Sequence, residues 1–555
     1  MSDRTFATHQ IRHATPVPTL WDFAALDTTA PVPARLPVPS AWELVPALHN
    51  YRGRAHYTTR IRCGGNIRLS FGGVSFRARV LLDGTEIAQH YGAFTAFETV
   101  VRHLPDGEHA LTVEVDNRFG EDSALHVPND YYSYGGITRP VVIEQLPDVF
   151  VERVGITTKH AADGWTADIS ATIRNLADED ASADVTLTLA GQTFTQTAHI
   201  PADSTAIIRI PDANYADVTA WTPDTPALYD LRAEIREGNQ VRDDLIDRVG
   251  FREISISGMD LLLNGEKLHL MGFNRHEEYG AFGCAVPLQA MAQDILMMKD
   301  MGCNCVRTCH YPNDPRFLDL CDEMGLLVWE EAHARGLQEE QMRNPNFMPQ
   351  TRQCVREMVA QHRNHPSIFI WGCLNECADN CDYGADCYRE VYALLHDLDA
   401  SRPMTAALLE RPGSLVYGDS DVVSVNIYPQ WYHNTPVAES LAQKLKEIRE
   451  HGGAGKPVII SEIGAGGIYG YHDPLGESKW SEERQCTILR DQVEAVLANP
   501  ACSGVFLWQF ADCRVTEEWA MHRPKTHNNK GVVDEYRRPK MSYAVVKELF
   551  KKHRA

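Results

Sequence analysis

The sequence predicts a multidomain protein in which two β-sandwiches precede a (β/α)8 barrel. The chain has 555 residues, too many for one ordinary domain, and its 44% hydrophobic content is enough for sizeable cores. Apolar and polar positions alternate in short runs over the first half, which is typical of sandwich strands. After Gly250 short apolar strands alternate with helical stretches. We expect three units with the bounds 1–148, 149–254 and 255–555.

The first unit carries the strand pattern from residue 54 to residue 148. The run Phe76–Leu82 alternates apolar and polar positions and ends at the turn pair Asp83-Gly84. A second run, Leu111–Val115, alternates in the same way. Period-two runs bounded by turn residues indicate strands with one buried face, so this unit is predicted to be a β-sandwich.

The second unit repeats the pattern over about 105 residues, a length that suits an immunoglobulin-like sandwich. Alternating runs occur at Ile169–Ile173 and Val185–Leu189, and the second of these ends at Ala190-Gly191. A further strand, Leu228–Ile235, follows a proline-rich turn.

The third unit contains eight apolar strand candidates, each followed by a loop or a helix. This order favours a (β/α)8 barrel, whose active site lies where the strands end. The predicted strands are Leu268–Phe273, Cys305–Arg307, Leu326–Trp329, Ile368–Leu374, Met404–Leu409, Val422–Tyr428, Val458–Ser461 and Val505–Phe510, and the first predicted helices are Leu288–Met301, Pro315–Met324 and Pro349–His362.

The charge balance bears on two classes of partner. With 53 basic and 75 acidic residues the formal net charge is −22, which disfavours nucleic acid and anionic membrane surfaces. No stretch approaches the roughly 20 apolar residues of a membrane span, and the first residues show no basic segment leading into an apolar run. We therefore expect a cytoplasmic protein without nucleic-acid or membrane partners.

The cysteines predict free thiols. The chain has 14 cysteines, and Cys63 alone precedes residue 255, so the first half cannot hold a disulfide framework. The cysteines between 303 and 387 lack the paired CxxC spacing of a zinc site, so we expect no metal. No nucleotide loop or flavin fingerprint is present, and no cofactor is expected.

Two carboxylates at strand ends are the strongest candidates for chemistry. Glu376 follows the predicted fourth strand after Asn375, and Glu462 follows the predicted seventh strand. One such glutamate alone is more often part of a structural ion pair. Two of them on opposite sides of a barrel mouth face one bound group, as a retaining glycosidase needs for an acid/base and a nucleophile about 5 Å apart.

Seven segments carry a resemblance to a known family. The chain is similar to glycoside hydrolase family 2 along nearly its whole length, and within that family it resembles β-glucuronidases most closely. The resemblance implies a jelly-roll sugar-binding domain, an immunoglobulin-like domain and a catalytic barrel, often in a homo-oligomer. The segments are LYDLR at 228–232, GFREI at 250–254, MGFNRHEE at 271–278, RTCHYPNDPRFLDLCDEMGLLVWEE at 307–331, HPSIFIWGCLNE at 365–376, SEIGA at 461–465 and WQFAD at 508–512.

The resemblance also implies roles for individual residues. Glu376 matches the acid/base, Glu462 the nucleophile, and Asn375 the asparagine that hydrogen-bonds the sugar 2-hydroxyl. Tyr428 matches a tyrosine that hydrogen-bonds the nucleophile. The remaining predicted substrate contacts are Tyr432 at the pocket rim, Trp508 as an apolar wall, Asp130 toward a sugar hydroxyl and His276, which either hydrogen-bonds the sugar or orients a neighbouring carboxylate.

The substrate class depends on Asn528 and Lys530, which match the asparagine-any-lysine pattern that holds the sugar carboxylate in glucuronidases. A neutral hexose would leave this lysine unpaired at a cost of a few kcal/mol. The preceding segment does not reproduce the family's arginine placement, and Arg523 or Lys525 could take its place.

The leading hypothesis is therefore a retaining exo-β-glucuronidase that acts on a small-molecule or oligosaccharide uronide. A β-galacturonidase is the nearest alternative, because it keeps the carboxylate contact and differs only at the 4-hydroxyl. A β-galactosidase is disfavoured because Lys530 would face a neutral group. A carbohydrate-binding module on an inactive barrel is disfavoured because both carboxylates are present.

Overall fold

The computed structural model describes residues 3–15 and 17–554. Its first part is a β-sandwich with antiparallel pairing, built on two long neighbouring strands that pair from Arg54↔Asp116 to Phe71↔Phe97. Their alternating side chains enclose a core around Trp21, Tyr57 and Leu69. The strands are β1 (Ala14–Thr15), β2 (Leu20–Ala25), β3 (Arg35–Pro37), β4 (Arg54–Phe71), β5 (Val74–Ser75), β6 (Arg77–Leu82), β7 (Thr85–Tyr91), β8 (Phe97–Asp116), β9 (Gly136–Ile137) and β10 (Val141–Leu146).

The second part is a sandwich of a three-stranded and a four-stranded antiparallel sheet. The sheets have the orders β11-β12-β15 and β14-β13-β16-β17, seven strands in all, as in a constant-type immunoglobulin fold. Trp165, Ile173 and Leu231 lie in the core between the sheets. The strands are β11 (Val149–Ala161), β12 (Gly164–Asn175), β13 (Ala181–Leu189), β14 (Gln192–Ile200), β15 (Thr205–Tyr215), β16 (Tyr229–Glu237) and β17 (Gln240–Val249).

The third part is a parallel barrel, so the predicted multidomain fold is confirmed. Three short antiparallel strands precede it, and their residues Ile254, Leu261 and Leu263 pack with side chains from the barrel strands. The barrel strands alternate with helices along the chain. The strands are β18 (Ile254–Ser257), β19 (Asp260–Leu263), β20 (Glu266–Lys267), β21 (Leu270–Asn274), β22 (Cys305–Thr308), β23 (Leu327–Glu331), β24 (Ile368–Gly372), β25 (Met404–Thr405), β26 (Ala407–Leu408), β27 (Val423–Asn426), β28 (Val458–Ile463) and β29 (Gly504–Leu507), followed by the pair β30 (Cys513–Arg514) and β31 (His527–Asn528).

The fifth barrel strand is split into two pieces. The predicted strand Met404–Leu409 is broken at Ala406, so that β25 pairs with β24 whereas β26 pairs with β27. β25 and β26 are thus the two ends of the barrel sheet, and the chain joins them through Ala406. The helices are α1 (Leu288–Asp300), α2 (Pro315–Met324), α3 (Glu339–Met342), α4 (Phe347–His362), α5 (Asp382–Leu398), α6 (Val437–Ile448), α7 (Glu482–Leu497), α8 (Glu517–Ala520) and α9 (Met541–Arg554).

Local sequence signals set the ends of α2, which has the predicted bounds. The Asp314 side chain accepts a hydrogen bond from the backbone N–H of Arg316, and Pro315 occupies the first helical turn. Gly325 ends the helix with a φ of 70°, in the left-handed region that glycine adopts without a Cβ clash.

The first sandwich reaches the barrel mouth through the segment after residue 128. Asn129 exchanges hydrogen bonds with Thr516, which follows β30. Tyr131 lies close behind and contacts His333 of the barrel at 3.1 Å. The mouth is therefore built from two domains.

Two further features concern the chain as a whole. All 14 cysteines are free. Within residues 3–15 and 17–554, no helix is both long and apolar enough to cross a membrane.

Candidate active site

Arg307, at the end of β22, organises the floor of the barrel mouth. Its guanidinium is fully buried, and Nη1 donates to Glu462 Oε1 at 2.9 Å. Nη2 donates to Asn375 Oδ1 at 2.8 Å, and Nε and Nη2 pair with the two carboxylate oxygens of Glu331 at 2.8 and 2.9 Å. The planar guanidinium of Arg307 thus orients Glu462, Asn375 and Glu331 together. The ammonium group of a lysine could not do so, because it is a compact point charge.

Glu462 lies inside β28, not after it, at a register irregularity between Ile460 and Ile463. Such a bulge re-aims a side chain, here toward the mouth. Besides Arg307, its carboxylate accepts a hydrogen bond from the Tyr428 hydroxyl at 2.6 Å. Burial and then repulsion from Glu376 raise the pKa of Glu462 to about 7, against the opposing effects of Arg307 and Tyr428.

Glu376 follows β24 and has a φ of 51°, in the left-handed region. A non-glycine residue held there costs of order 1–3 kcal/mol, which the surrounding contacts must offset. Its backbone N–H donates to Ala407 O at 2.9 Å, and its carboxylate accepts a hydrogen bond from Asn426 Nδ2 at 3.0 Å. The split fifth strand and the sixth strand therefore fix the position of this carboxyl group.

Asn375 presents its amide nitrogen to the mouth. Its Oδ1 accepts hydrogen bonds from Arg307 at 2.8 Å and Asn426 at 3.3 Å. Its Nδ2 is buried and has no hydrogen-bond partner among the described residues. Because a buried donor without a partner is costly, this nitrogen is suited to a ligand oxygen.

Asp130 is the contribution of the first sandwich, and it is 3% exposed. Its carboxylate lies 3.2 Å from Arg335, and it accepts hydrogen bonds from Arg523 at 2.9 Å and Asn528 at 3.1 Å. Burial alone would raise the pKa of Asp130, but Arg335, Arg523 and Lys530 together hold it below its usual range. Asp130 is therefore a fixed negative charge within a ring of cations.

Lys530 follows β31 and is 2% exposed. Its ammonium donates to the Tyr432 hydroxyl at 2.9 Å and lies 5.6 Å from the ring centre of Tyr428. In the described part of the chain it forms no ion pair within 4.0 Å. Tyr432 itself is 56% exposed.

Trp508 packs against two histidines in the mouth. The Trp508 indole stacks on His310 with ring centres 5.1 Å apart and meets His276 edge-on at 5.5 Å. Burial lowers the pKa of His276 to about 3, so this imidazole is neutral at ordinary pH. Its Nδ1 contacts the Tyr311 hydroxyl at 3.1 Å, and its Nε2 is buried without a partner among the described residues. Among the described residues, His276 therefore forms no hydrogen bond with a carboxylate.

The structure brings the ten residues singled out from the sequence into one mouth. They are linked through shared neighbours, and Arg307, Arg335 and Asn426 are the main connections that the sequence analysis missed. Arg307 ends the predicted second strand, and Asn426 lies two residues before the end of the predicted sixth strand, so polar residues near strand ends could have identified them. Arg335 lies in an irregular loop after β23, where no sequence pattern distinguishes it. Arg523 is buried against Asp130 whereas Lys525 is exposed, so Arg523 is the residue that joins the site.

Comparison with known proteins assigns the family. Residues 254–554 match the model described as glycosyl hydrolases family 2, TIM barrel domain, and residues 149–252 match a second model of glycosyl hydrolases family 2. A family 2 β-galacturonidase from Eisenbergiella tayi, solved with galacturonate bound, has 46% sequence identity and a TM-score of 0.97, with 99% of each chain covered.

Two more distant relatives extend the comparison. A β-glucuronidase of Streptococcus agalactiae is 28% identical over 529 residues, which cover 87% of this chain and 84% of that protein. A relative from Formosa agariphila is 29% identical over 535 residues, and the match spans 62% of its length. With paired glutamates in the mouth of a parallel barrel and two family models matched in sequence, the chain belongs to glycosyl hydrolase family 2 and is a glycoside hydrolase.

Proposed function

We propose that the protein removes terminal β-D-uronides by a retaining, two-step reaction, with β-D-glucuronides as the leading substrate. In the first step Glu462 attacks the anomeric carbon while Glu376 gives its proton to the glycosidic oxygen, and the aglycone leaves as an alcohol. In the second step Glu376 takes a proton from water, and the resulting oxygen nucleophile displaces Glu462. The sugar is released with its original configuration.

The different environments of the two carboxyl groups support this assignment. Glu462 accepts hydrogen bonds from Arg307 and Tyr428, which favour its ionised form and fix the oxygen that attacks. Glu376 lies nearer the entrance, with its side chain 11% exposed, where a leaving group and then a water can reach it. The free Nδ2 of Asn375 supports a hydrogen bond to the sugar 2-hydroxyl.

The observation that carries the uronide assignment is the buried, unpaired ammonium of Lys530. Apart from its contact with the Tyr432 hydroxyl, it forms no side-chain hydrogen bond among the described residues, and burial of such a cation is favourable only when an anion accompanies it. A sugar carboxylate between Lys530 and Asn528 would supply that anion through charge-assisted hydrogen bonds.

A β-galacturonide is the second candidate, and a specific observation favours it. The β-galacturonidase from E. tayi shares 46% of its sequence with this chain over 99% of both chains. The β-glucuronidase of S. agalactiae, at 28% identity, supports the glucuronide. Both substrates carry the C6 carboxylate and differ only in the configuration of the 4-hydroxyl.

Hydrolysis of 4-nitrophenyl β-glucuronide, β-galacturonide, β-galactoside and β-glucoside side by side tests the proposal. A larger kcat/KM for either uronide than for its neutral counterpart supports the carboxylate contact, and the ratio between the two uronides identifies the substrate. Equal values for uronides and neutral glycosides would contradict it.

A lysine pair in the same segment sharpens the test. Lys530→Ala should lower kcat/KM on the uronide about 30-fold to 1,000-fold, since a desolvated charge-assisted contact is worth roughly 2 to 4 kcal/mol. The neutral glycoside should lose little. Lys525→Ala is the matched control, because Lys525 is exposed five positions away. An unchanged uronide-to-glycoside ratio in Lys530→Ala would contradict the proposal.

We also propose that the enzyme works in the cytoplasm and that it forms a homo-oligomer. Within each chain, we propose domain boundaries at 148/149 and 254/255. Fourteen free thiols, ten of them buried, support a reducing compartment. Light scattering on the purified chain measures the assembly, and limited proteolysis tests the two boundaries.

A further inference from the structure

His276, Cys309 and His310 bring three potential metal ligands together in the barrel mouth. One ring nitrogen of each histidine and the Cys309 thiol lie within 4.8 Å of one another, and all three side chains are buried. Two imidazoles and a thiol suit Zn²⁺, which binds nitrogen at about 2.0–2.1 Å and sulfur at about 2.3 Å. Tetrahedral ligands at these bond lengths lie about 3.3–3.6 Å apart, so small side-chain rotations would close the site.

The hydrogen bonds of His310 leave its Nε2 free for a ligand. Its Nδ1 lies 3.0 Å from Glu331 Oε1 and 3.2 Å from Nη2 of Arg307. That Nη2 already directs its two hydrogens to Glu331 and Asn375, so Nδ1 of His310 carries a proton and donates to Glu331. Nε2 keeps its lone pair and is buried without a partner among the described residues. A carboxylate behind an imidazole is typical of metal-binding histidines.

His276 supplies a second free nitrogen. Its Nδ1 lies 3.1 Å from the Tyr311 hydroxyl, whose oxygen can accept a hydrogen bond from Nδ1–H, and its Nε2 is also buried without a partner in the described part of the chain. The two imidazole rings stand edge-on with centres 5.5 Å apart. Cys309 packs with Tyr428 and Trp508 in one apolar cluster, which places its thiol beside residues of the proposed sugar pocket.

A second cluster of metal-binding residue types lacks such free atoms on its carboxylates. Asp319, Asp322 and His365 are also buried and close together. Arg4 Nε, however, donates to both carboxylate oxygens of Asp319 at 2.9 and 3.0 Å, and the Asp322 carboxylate lies 2.5 Å from His365. This cluster is therefore an ion-pair network that contains its own cation.

We propose that His276, Cys309 and His310 form an inhibitory site for Zn²⁺ and similar borderline-soft cations. The S–H bond of Cys309 breaks, its proton goes to solvent, and the sulfur and the two Nε2 atoms each form a bond to the ion. A fourth position remains for water. Because Trp508 packs against both imidazoles, the ion and the sugar compete for the same space. Mg²⁺ prefers oxygen ligands and does not bind here.

Inhibition kinetics after dialysis against a chelator provide the first test. Zn²⁺ should raise KM for the 4-nitrophenyl uronide with kcat unchanged, EDTA should reverse the effect, and Mg²⁺ should have none. In Cys309→Ser the zinc concentration for half-inhibition should rise at least about tenfold, since loss of an outer-shell partner alone lowers metal affinity about 10- to 100-fold. Cys513→Ser is the matched control, because Cys513 is a buried thiol that packs with Tyr131 and Tyr311 instead.

Cobalt titration provides a second test that needs no substrate. Co²⁺ accepts the same nitrogen and sulfur ligands, and a cobalt–thiolate bond absorbs in the near ultraviolet. The wild type and Cys513→Ser should show this band with one equivalent of Co²⁺ per chain, and Zn²⁺ should abolish it. The band should be absent from Cys309→Ser.

Each outcome decides one question. Equal zinc sensitivity in Cys309→Ser and the wild type, or a cobalt band that persists in Cys309→Ser, would overturn the inference. If Cys309→Ser does not fold, His276→Gln takes its place in the zinc titration with the same expected loss of affinity. A wild type that hydrolyses no uronide would contradict the proposed function, and the cobalt titration would still test the metal site.

Discussion

The guanidinium of Arg335 lies 3.3 Å from the carboxylate of Glu376 and 3.2 Å from that of Asp130. One side chain from a loop after β23 thus joins Glu376, the proposed acid/base, to a carboxylate of the first sandwich. Replacement of this arginine should therefore affect the reaction more than the fold.

Arg335→Ala should lower kcat/KM about 100-fold or more, because a charge-assisted contact to each of two carboxylates is lost. The loss should be larger for alkyl than for nitrophenyl leaving groups, since poor leaving groups depend most on a well-placed acid. Arg343→Ala is the control, because Arg343 forms an exposed ion pair further along the same segment. Equal losses with all leaving groups would contradict a role in positioning Glu376.

Azide should distinguish the two carboxylates. Glu462→Ala should nearly abolish turnover, and azide should restore activity and give the inverted α-glycosyl azide, because it enters the space of the missing nucleophile. Glu376→Ala with azide should give the retained β-glycosyl azide. Product analysis by NMR checks both. If Glu462→Ala gave the retained β-azide and Glu376→Ala the inverted α-azide, the roles of the two residues would be exchanged.

The acid limb of the pH profile should report Glu462. Its pKa of about 7 means that kcat/KM falls as the pH drops through 7, since the nucleophile must be ionised in the free enzyme. Tyr428→Phe removes a hydrogen bond that lowers this pKa, so the limb should move to higher pH. Glu376→Gln removes a like charge and should move it to lower pH.

Dinitrophenyl uronides make this measurement possible in Glu376→Gln, because the dinitrophenolate group leaves with little need for a proton donor. Single-turnover rates from pH 4 to 9 provide the profiles. If the acid limb of the pH profile does not move in either variant, a group other than Glu462 controls the fall in rate at low pH.

The ion pair of Lys540 and Asp512 should contribute to stability in a pH-dependent way. Both side chains are buried, with Nζ 2.7 Å from the carboxylate. Lys540→Met would leave the carboxylate unpaired, which typically costs about 3–5 kcal/mol. Burial, opposed by Lys540, already raises the pKa of Asp512 to about 7, above its unfolded value of about 3.9. Protonation therefore relieves the unpaired charge, and the loss should grow as the pH rises.

Thermal unfolding at pH 5 and pH 8 measures this effect. Lys547→Met is the control, because Lys547 pairs with Asp300 at the surface, where an ion pair contributes about 0–1 kcal/mol. An equal fall in melting temperature for both variants at pH 8 would contradict the expectation.

Local patterns predicted the elements, whereas contacts between distant segments could not be predicted from them. The helix Pro315–Met324 was predicted with its observed bounds because its caps are encoded in neighbouring residues. The break in the fifth strand was not, since β25 and β26 are separated by their different partners and not by a local signal.

Some residues of the site could likewise be predicted from local patterns, and others could not. Glu376 and Glu462 were found because strand ends meet at one face of a barrel. Arg335 lies in an irregular loop after β23, where position depends on the tertiary fold and where no periodicity operates. Of the two cations left open before Asn528, Arg523 and Lys525, burial against Asp130 selects Arg523.

Because the first sandwich inserts Asp130 into the barrel mouth, we expect enzyme activity to depend on the docking of that domain onto the barrel. A chain whose barrel has folded but whose first sandwich has not yet docked should be inactive. Arg335, Arg523 and Asn528 would then lack the Asp130 carboxylate that they share. During refolding, the return of barrel secondary structure should therefore precede the return of turnover. The interval between them is the time that the sandwich takes to dock.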